Sequence, residues 1–178
     1  LTMRVLSPIY GGAYNAGLVI SNISLFLACL VLIRLVSLDH DAPTARRAAK
    51  YAILLPTAFI FSGVFTESLF LFLIVSAFYL VRTERLPAAG IVGFLASLTR
   101  SVGVVLILPL ALQYWWQRRA RAGRPDFRMA YLLIAPLGLV SFSVFNYILS
   151  GDAFAFAQIQ SSWGRTLQCP LSVLFRGF

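Results

Sequence analysis

Apolar side chains run in long stretches along this chain, separated by short polar segments rich in arginine. The first stretch covers residues 16–36, and about 20 apolar residues suffice for a helix to cross a bilayer. It ends at Arg34 and gives way to a polar loop, residues 39–50, that holds Arg46, Arg47 and Lys50. The second stretch, residues 51–81, is apolar except at Ser62-Gly63 and Thr66-Glu67-Ser68. A charged turn at 82–85 follows, and then a third stretch, 86–116, interrupted by Thr99-Arg100-Ser101. A basic loop at 117–128 precedes a last full-length stretch, 129–149, and the tail from 150 to 165 is polar and aromatic. This pattern predicts an all-α fold, a polytopic transmembrane helical bundle.

Loop charge predicts how the helices run. Arg46, Arg47, Lys50, Arg82, Arg85, Arg118, Arg119, Arg121, Arg124 and Arg128 all fall in three loops, and cytoplasmic loops collect Lys and Arg. For all three to share one side, each stretch between them must cross an even number of times. Residues 51–81 and 86–116 then fold as short helical hairpins with tips at Glu67 and Arg100. Each arm of about 14 residues spans about 21 Å, short of the roughly 30 Å hydrocarbon core. The tips are therefore expected in a protein-lined, watered recess below the far surface. The competing reading makes each stretch one long tilted helix, which strands Arg82 and Arg85 on the opposite side. On the hairpin topology Arg4, Glu67, Arg100, Asp152 and Arg165 gather on the non-cytoplasmic face.

Composition narrows the function classes. Only 12% of the 178 residues are charged and 60% are hydrophobic, whereas a soluble domain carries about 25% charge. The net charge of +9 comes from clusters between apolar stretches, not from one basic face interleaved with aromatics, so nucleic acid is not an expected partner. Cys29 and Cys169 make no disulfide framework, and His40 is the sole histidine; no metal site or cofactor is expected. Nucleotide-loop, dinucleotide and zinc-protease motifs are absent. The first ten residues do not read as a signal peptide. With Leu at the start and Phe178 inside an apolar stretch, residues 1–178 are expected to be part of a single transmembrane domain truncated at both ends.

Several residues invite chemistry. Glu67 and Arg100 are ionisable groups inside apolar stretches, where charge is costly and tends to face a cavity. Either they serve a functional site or they pair and hold two hairpins together; the two roles are compatible. Asn22 bonds a neighbouring helix or lines the recess. Gln158, Gln160, Trp163 and Arg165 offer the amide, ring and guanidinium groups of a sugar or phosphate site. By composition alone, that tail reads first as an interfacial helix with Trp163 in the aromatic belt. Trp115 and Trp116 read as belt residues, and Pro56 and Pro109 as helix kinks.

Familiar motifs add to this. Pro56-Thr57-Ala58-Phe59 followed by Phe65-Thr66-Glu67-Ser68-Leu69-Phe70 resembles a stretch of the PIG-V-like mannosyltransferases. Leu98-Thr99-Arg100-Ser101-Val102-Gly103 resembles their LTRSxG turn, and the segment from Val19 to Asn22 a helix start. Gly151-Asp152-Ala153-Phe154 and Gln160-Ser161-Ser162-Trp163-Gly164-Arg165 resemble their GDPLAF…QxxWGR segment. The order matches over nearly the whole chain. The resemblance implies a GT-C superfamily glycosyltransferase in a bacterial inner membrane, or the endoplasmic reticulum if eukaryotic, with its active side non-cytoplasmic. It implies a polyprenyl- or dolichyl-phosphate-mannose donor and a lipid-linked glycan acceptor, of glycosylphosphatidylinositol type in eukaryotic relatives, with no metal required. It also implies that Asn22, Glu67, Arg100, Gln160, Trp163 and Arg165 bind substrate, with Arg100 or Arg165 on the phosphate. The family's acidic residue, its expected general base, has no counterpart here and is expected upstream of Leu1, so the chain alone should be inactive. The alternative from another class is a non-catalytic lipid-binding or transporter-like membrane protein.

Overall fold

A computed structural model describes residues 12–121 and 127–154. Among the described residues every regular element is a helix. The first, α1 (Ala13–Val36), has 24 residues and is about 36 Å long. A turn at Ser37 leads into α2 (Ala42–Leu54), which begins inside the stretch expected to be a polar loop. Charge density hid its helical character: Pro43 sits in the first turn, Ala45, Ala48 and Ala49 follow, and alanine is the best helix former. A 3-10 turn (Pro56–Ala58) and a single-turn helix, α3 (Phe59–Ser62), come next. Then follow α4 (Glu67–Arg82), α5 (Leu86–Thr99), a 3-10 stretch (Ser101–Leu106) and α6 (Ile107–Ala120). A further 3-10 stretch (Phe127–Leu133) enters α7 (Ile134–Ser150).

The two long apolar stretches are broken where polar residues interrupt them. Between Ser62 and Glu67 the chain leaves the helix, and Arg100 adopts an extended conformation (φ −145°, ψ 135°) that ends α5. Pro87 lies in the first turn of α5, where an amide has no intrahelical partner to lose. Pro109 and Pro136 lie in the first turns of α6 and α7, each directly after a 3-10 stretch. Pro56 opens a 3-10 turn.

Two compact units divide the chain after Leu139. In the first, hydrogen bonds and ion pairs fix the direction of the legs. Ser21 of α1 bonds Phe65 just before α4, and Asp39 beyond α1 pairs with Arg82 at the end of α4, so α1 and α4 run parallel. Only three residues join α4 to α5, and the two pack antiparallel. Gln117 of α6 donates to the Arg82 carbonyl (2.9 Å), and Arg121 pairs with Glu84; α6 therefore returns to the same end. Tyr131 lies against Gly90 and Ala135 against Gly93, so the start of α7 climbs beside α5. The loop after α1, the α4–α5 turn and the start of the 117–128 loop thus share one end, here called the basic end.

Small residues set the packing. The buried face of α1 is Ala16, Gly17, Ser21, Ser24 and Ala28, and that of α5 includes Ala89, Gly90, Gly93, Ala96 and Ser97. Stripes of this kind let helix backbones approach closely. A methyl group on Gly90 would lie 2.1 Å from the Tyr131 carbonyl oxygen, and one on Gly138 2.2 Å from that of Phe94. Larger side chains seal the basic end, where Val81, Leu86, Leu110, Tyr114 and Leu132 are buried together. The α4–α5 turn is closed by Glu84 with φ 59°. Its amide donates to Val81 and that of Arg85 to Leu80, the Schellman pattern for ending a helix.

Two helical segments are long and apolar enough to cross a membrane, Ala13–Val36 and Phe127–Ser150. Only 28% and 17% of their apolar windows are buried, whereas an interior helix of a globule would be mostly buried. Phe26, Leu30, Leu108 and Leu112 stand exposed on the first unit. In the second unit Val144, Ile148 and Leu149 are exposed, Ser150 bonds the Asn146 carbonyl (2.9 Å), and Asp152 accepts from the Phe154 amide (2.8 Å).

Candidate functional site

The end of the first unit opposite the basic loops holds the break between Leu55 and Glu67. A broken helix leaves carbonyl oxygens without amide partners, and three polar side chains supply them. Ser68 donates to the Phe61 carbonyl, Ser21 to that of Phe65 (3.1 Å), and Asn22 Nδ2 to those of Leu18 (2.8 Å) and Ser62 (3.4 Å). Of the two roles open to Asn22, the structure shows a bond to a neighbouring helical turn. The tie to Ser21 sets the depth of the break. Ser21 lies eight residues after Ala13, so the break sits about 12 Å along α1 from its start. The arms α4 and α5, of 16 and 14 residues, are about 24 and 21 Å long.

At this level Glu67 and Arg100 meet. Glu67 occupies the first turn of α4, where the helix dipole favours a carboxylate. Arg100 caps α5 at the adjacent end. The Arg100 guanidinium donates to Glu67 Oε1, and its Cζ stands 5.8 Å from the centre of the Phe70 ring, within cation–π range. The pair is not sealed: the side chains are 38% exposed for Arg100 and 31% for Glu67. A guanidinium has five donors, so one oriented by a carboxylate and a ring can also hold a phosphate or carboxylate presented from outside.

Pairing of Glu67 with Arg100 was one of the two roles their placement allowed. Phe70, Ser21 and Ser68 were missed as site residues. Phe70 lies one turn after Glu67 and Ser68 beside it, a spacing that was visible; the bond from Ser21 to a carbonyl 44 residues away was not. Gln160, Trp163 and Arg165 lie outside the described residues, as do Arg4 and Cys169. Among the described residues no cluster of three His, Cys, Asp or Glu side chains is placed to hold a metal. Compared with protein-family models, with curated proteins and with solved structures, the chain finds no match in any of the three.

The basic end is organised by ion pairs. Arg82 grips Asp39 through both terminal nitrogens (2.8 and 2.5 Å), a bidentate geometry. The hydrogen bond from Arg82 holds the Asp39 carboxyl below the usual carboxylate value, and Asp39 raises that of Arg82. Arg121 pairs with Glu84, and the Arg119 guanidinium stands 5.5 Å from the Trp115 ring.

Proposed function

We propose that the chain is the membrane-embedded part of a GT-C glycosyltransferase, a PIG-V-like mannosyltransferase acting on the non-cytoplasmic side. The observation that carries this reading is the Glu67–Arg100 pair, at the end opposite the Asp39–Arg82 and Glu84–Arg121 pairs. The two residues belong to the two motifs, FTESLF and LTRSVG, that most resemble the family. Lys and Arg collect in cytoplasmic loops, so Arg82, Arg85 and Arg121 at one end support reading the pair as facing the other side.

In this reading mannose passes from a polyprenyl- or dolichyl-phosphate carrier to a hydroxyl of a lipid-linked glycan. The bond from the sugar's anomeric carbon to phosphate breaks as the bond to the acceptor oxygen forms. A carboxylate acting as general base takes the acceptor proton, and the lipid phosphate departs with the electron pair. Arg100, positioned by Glu67 and Phe70, stabilises the charge growing on that phosphate. Gln160, Trp163 and Arg165 complete the sugar and phosphate contacts, and Asn22 shapes the site through the break it ties. No metal enters the scheme, since arginine supplies the positive charge.

The test is transfer of labelled mannose from polyprenyl-phosphate-mannose by the full-length enzyme. Arg100→Gln is expected to abolish transfer while membrane insertion is retained. Turnover at the wild-type rate would overturn the assignment and favour a lipid-binding or transporter-like protein, in which the same pair only joins α4 to α5.

A further inference from the structure

At the basic end α1, α4 and α6 leave space between them. A cavity of about 400 Å³ is lined by Leu38, Arg82, Gln113, Gln117, Ala120 and Arg121. A second, of about 300 Å³, shares Arg82 and Gln113 with it and extends to Asp39, His40 and Phe78. Neither contains a residue of the proposed transfer site.

The lining asks for a particular ligand. Arg82 and Arg121 are cations whose orientation is set by Asp39 and Glu84, and the Arg121 side chain is 62% exposed, so its guanidinium can also meet an incoming anion. Gln117 spends its amide nitrogen on the Arg82 carbonyl (2.9 Å), and its Oε1 is buried with no hydrogen-bond partner among the described residues. A buried acceptor left unmade costs about 1–3 kcal/mol, so the cavity calls for a donor as well as an anion. Leu38 and Phe78 supply apolar wall. Trp115 and Trp116 on the same helix end are exposed, with Arg119 over Trp115, the residue types that mark the headgroup level of a bilayer. One and two turns back along α6, Leu112 and Leu108 are exposed apolar surface suited to acyl chains. Basic pockets between helices at this level suit lipid phosphates.

We infer that this cavity holds the headgroup of an anionic phospholipid that carries a free hydroxyl. The phosphate lies on Arg121 and Arg82, and the hydroxyl donates to Gln117 Oε1. The inference rests on the chain lying in a bilayer but not on sugar transfer, so its failure leaves the proposed activity untouched. The full chain, purified in detergent, is offered equal amounts of phosphatidylglycerol, phosphatidate and phosphatidylcholine, and the lipid retained after detergent exchange is measured. Phosphatidylglycerol is expected to be retained above both of the others. Arg121→Gln removes one cation at the headgroup and should lower its retention about fivefold. Ala120→Trp, at an exposed position on the cavity wall, should lower it comparably by occupying the space. Equal retention of phosphatidylcholine, or retention unchanged in both variants, would overturn the inference. Equal retention of phosphatidate would overturn the role given to Gln117.

Discussion

The charged residues that matter in the first unit act in pairs. Glu67 and Arg100 stand 33 positions apart, and loop charge placed both at one end without saying that they touch. Because the pair is partly open to its surroundings, its coupling is expected to be modest. A cycle of Glu67→Gln, Arg100→Gln and the double variant should give about 1 kcal/mol of coupling in unfolding measurements; additive effects would mean that the pair contributes nothing to stability. Asp39 makes a pH prediction. Its carboxyl is held below the ordinary value by Arg82, so the folded state binds its proton less readily than the unfolded chain does. The ion pair's contribution is therefore complete at neutral pH, begins to fade as pH approaches about 4, and is gone below the folded value. Wild type and Asp39→Asn should differ in unfolding midpoint at pH 7 and converge in strong acid. The hydroxyl of Ser68 illustrates what no sequence pattern can reveal: it was visible as a polar residue, but its acceptor, the Phe61 carbonyl, exists only because the helix breaks there.

At the scale of elements, periodicity and polar interruptions were legible and local propensity was not. Runs of apolar residues gave α1, α4, α5 and the breaks at 63–66 and Arg100, but past Leu54 the helical arm expected from residue 51 to the break is replaced by a 3-10 turn and the single turn α3. The start of α2 inside an arginine-rich segment was missed because charge dominated the reading over its alanines. Helix contact rests on small residues, which the sequence displays without showing their partners. Gly90→Ala and Gly138→Ala would drive a methyl group into the carbonyl oxygens of Tyr131 and Phe94, and each should cost about 1–3 kcal/mol of stability. Gly63→Ala meets chiefly the Phe65 ring, which can rotate away, and should cost less. Equal losses at all three sites in thermal unfolding would argue against close backbone packing as the cause.

For the whole molecule, two features support a bilayer as its solvent: the apolar surface left exposed and the segregation of charge. Exposed Phe26, Leu30, Leu108 and Leu112 lie between a basic end and an end where the described charges, Glu67 and Arg100, neutralise each other. Loop parity was legible in the sequence because positive charge is counted along the chain. In the structure the Asp39–Arg82 and Glu84–Arg121 pairs bring Arg82 and Arg121 to one end, while Arg46, Arg47 and Lys50, expected in a loop there, lie within α2. The tail bearing Gln160, Trp163 and Arg165 rests on motif resemblance alone. Sidedness is tested most directly by cysteine accessibility, in a chain with Cys29 and Cys169 replaced. Single cysteines are placed at Arg46, Arg85 and Ser101 and exposed to a membrane-impermeant maleimide in sealed vesicles of each orientation. Labelling of positions 46 and 85 from the cytoplasmic side and of 101 from the opposite side is the predicted result. Labelling of position 85 from the side opposite to 46 would contradict it, because each long apolar stretch would then cross the membrane once.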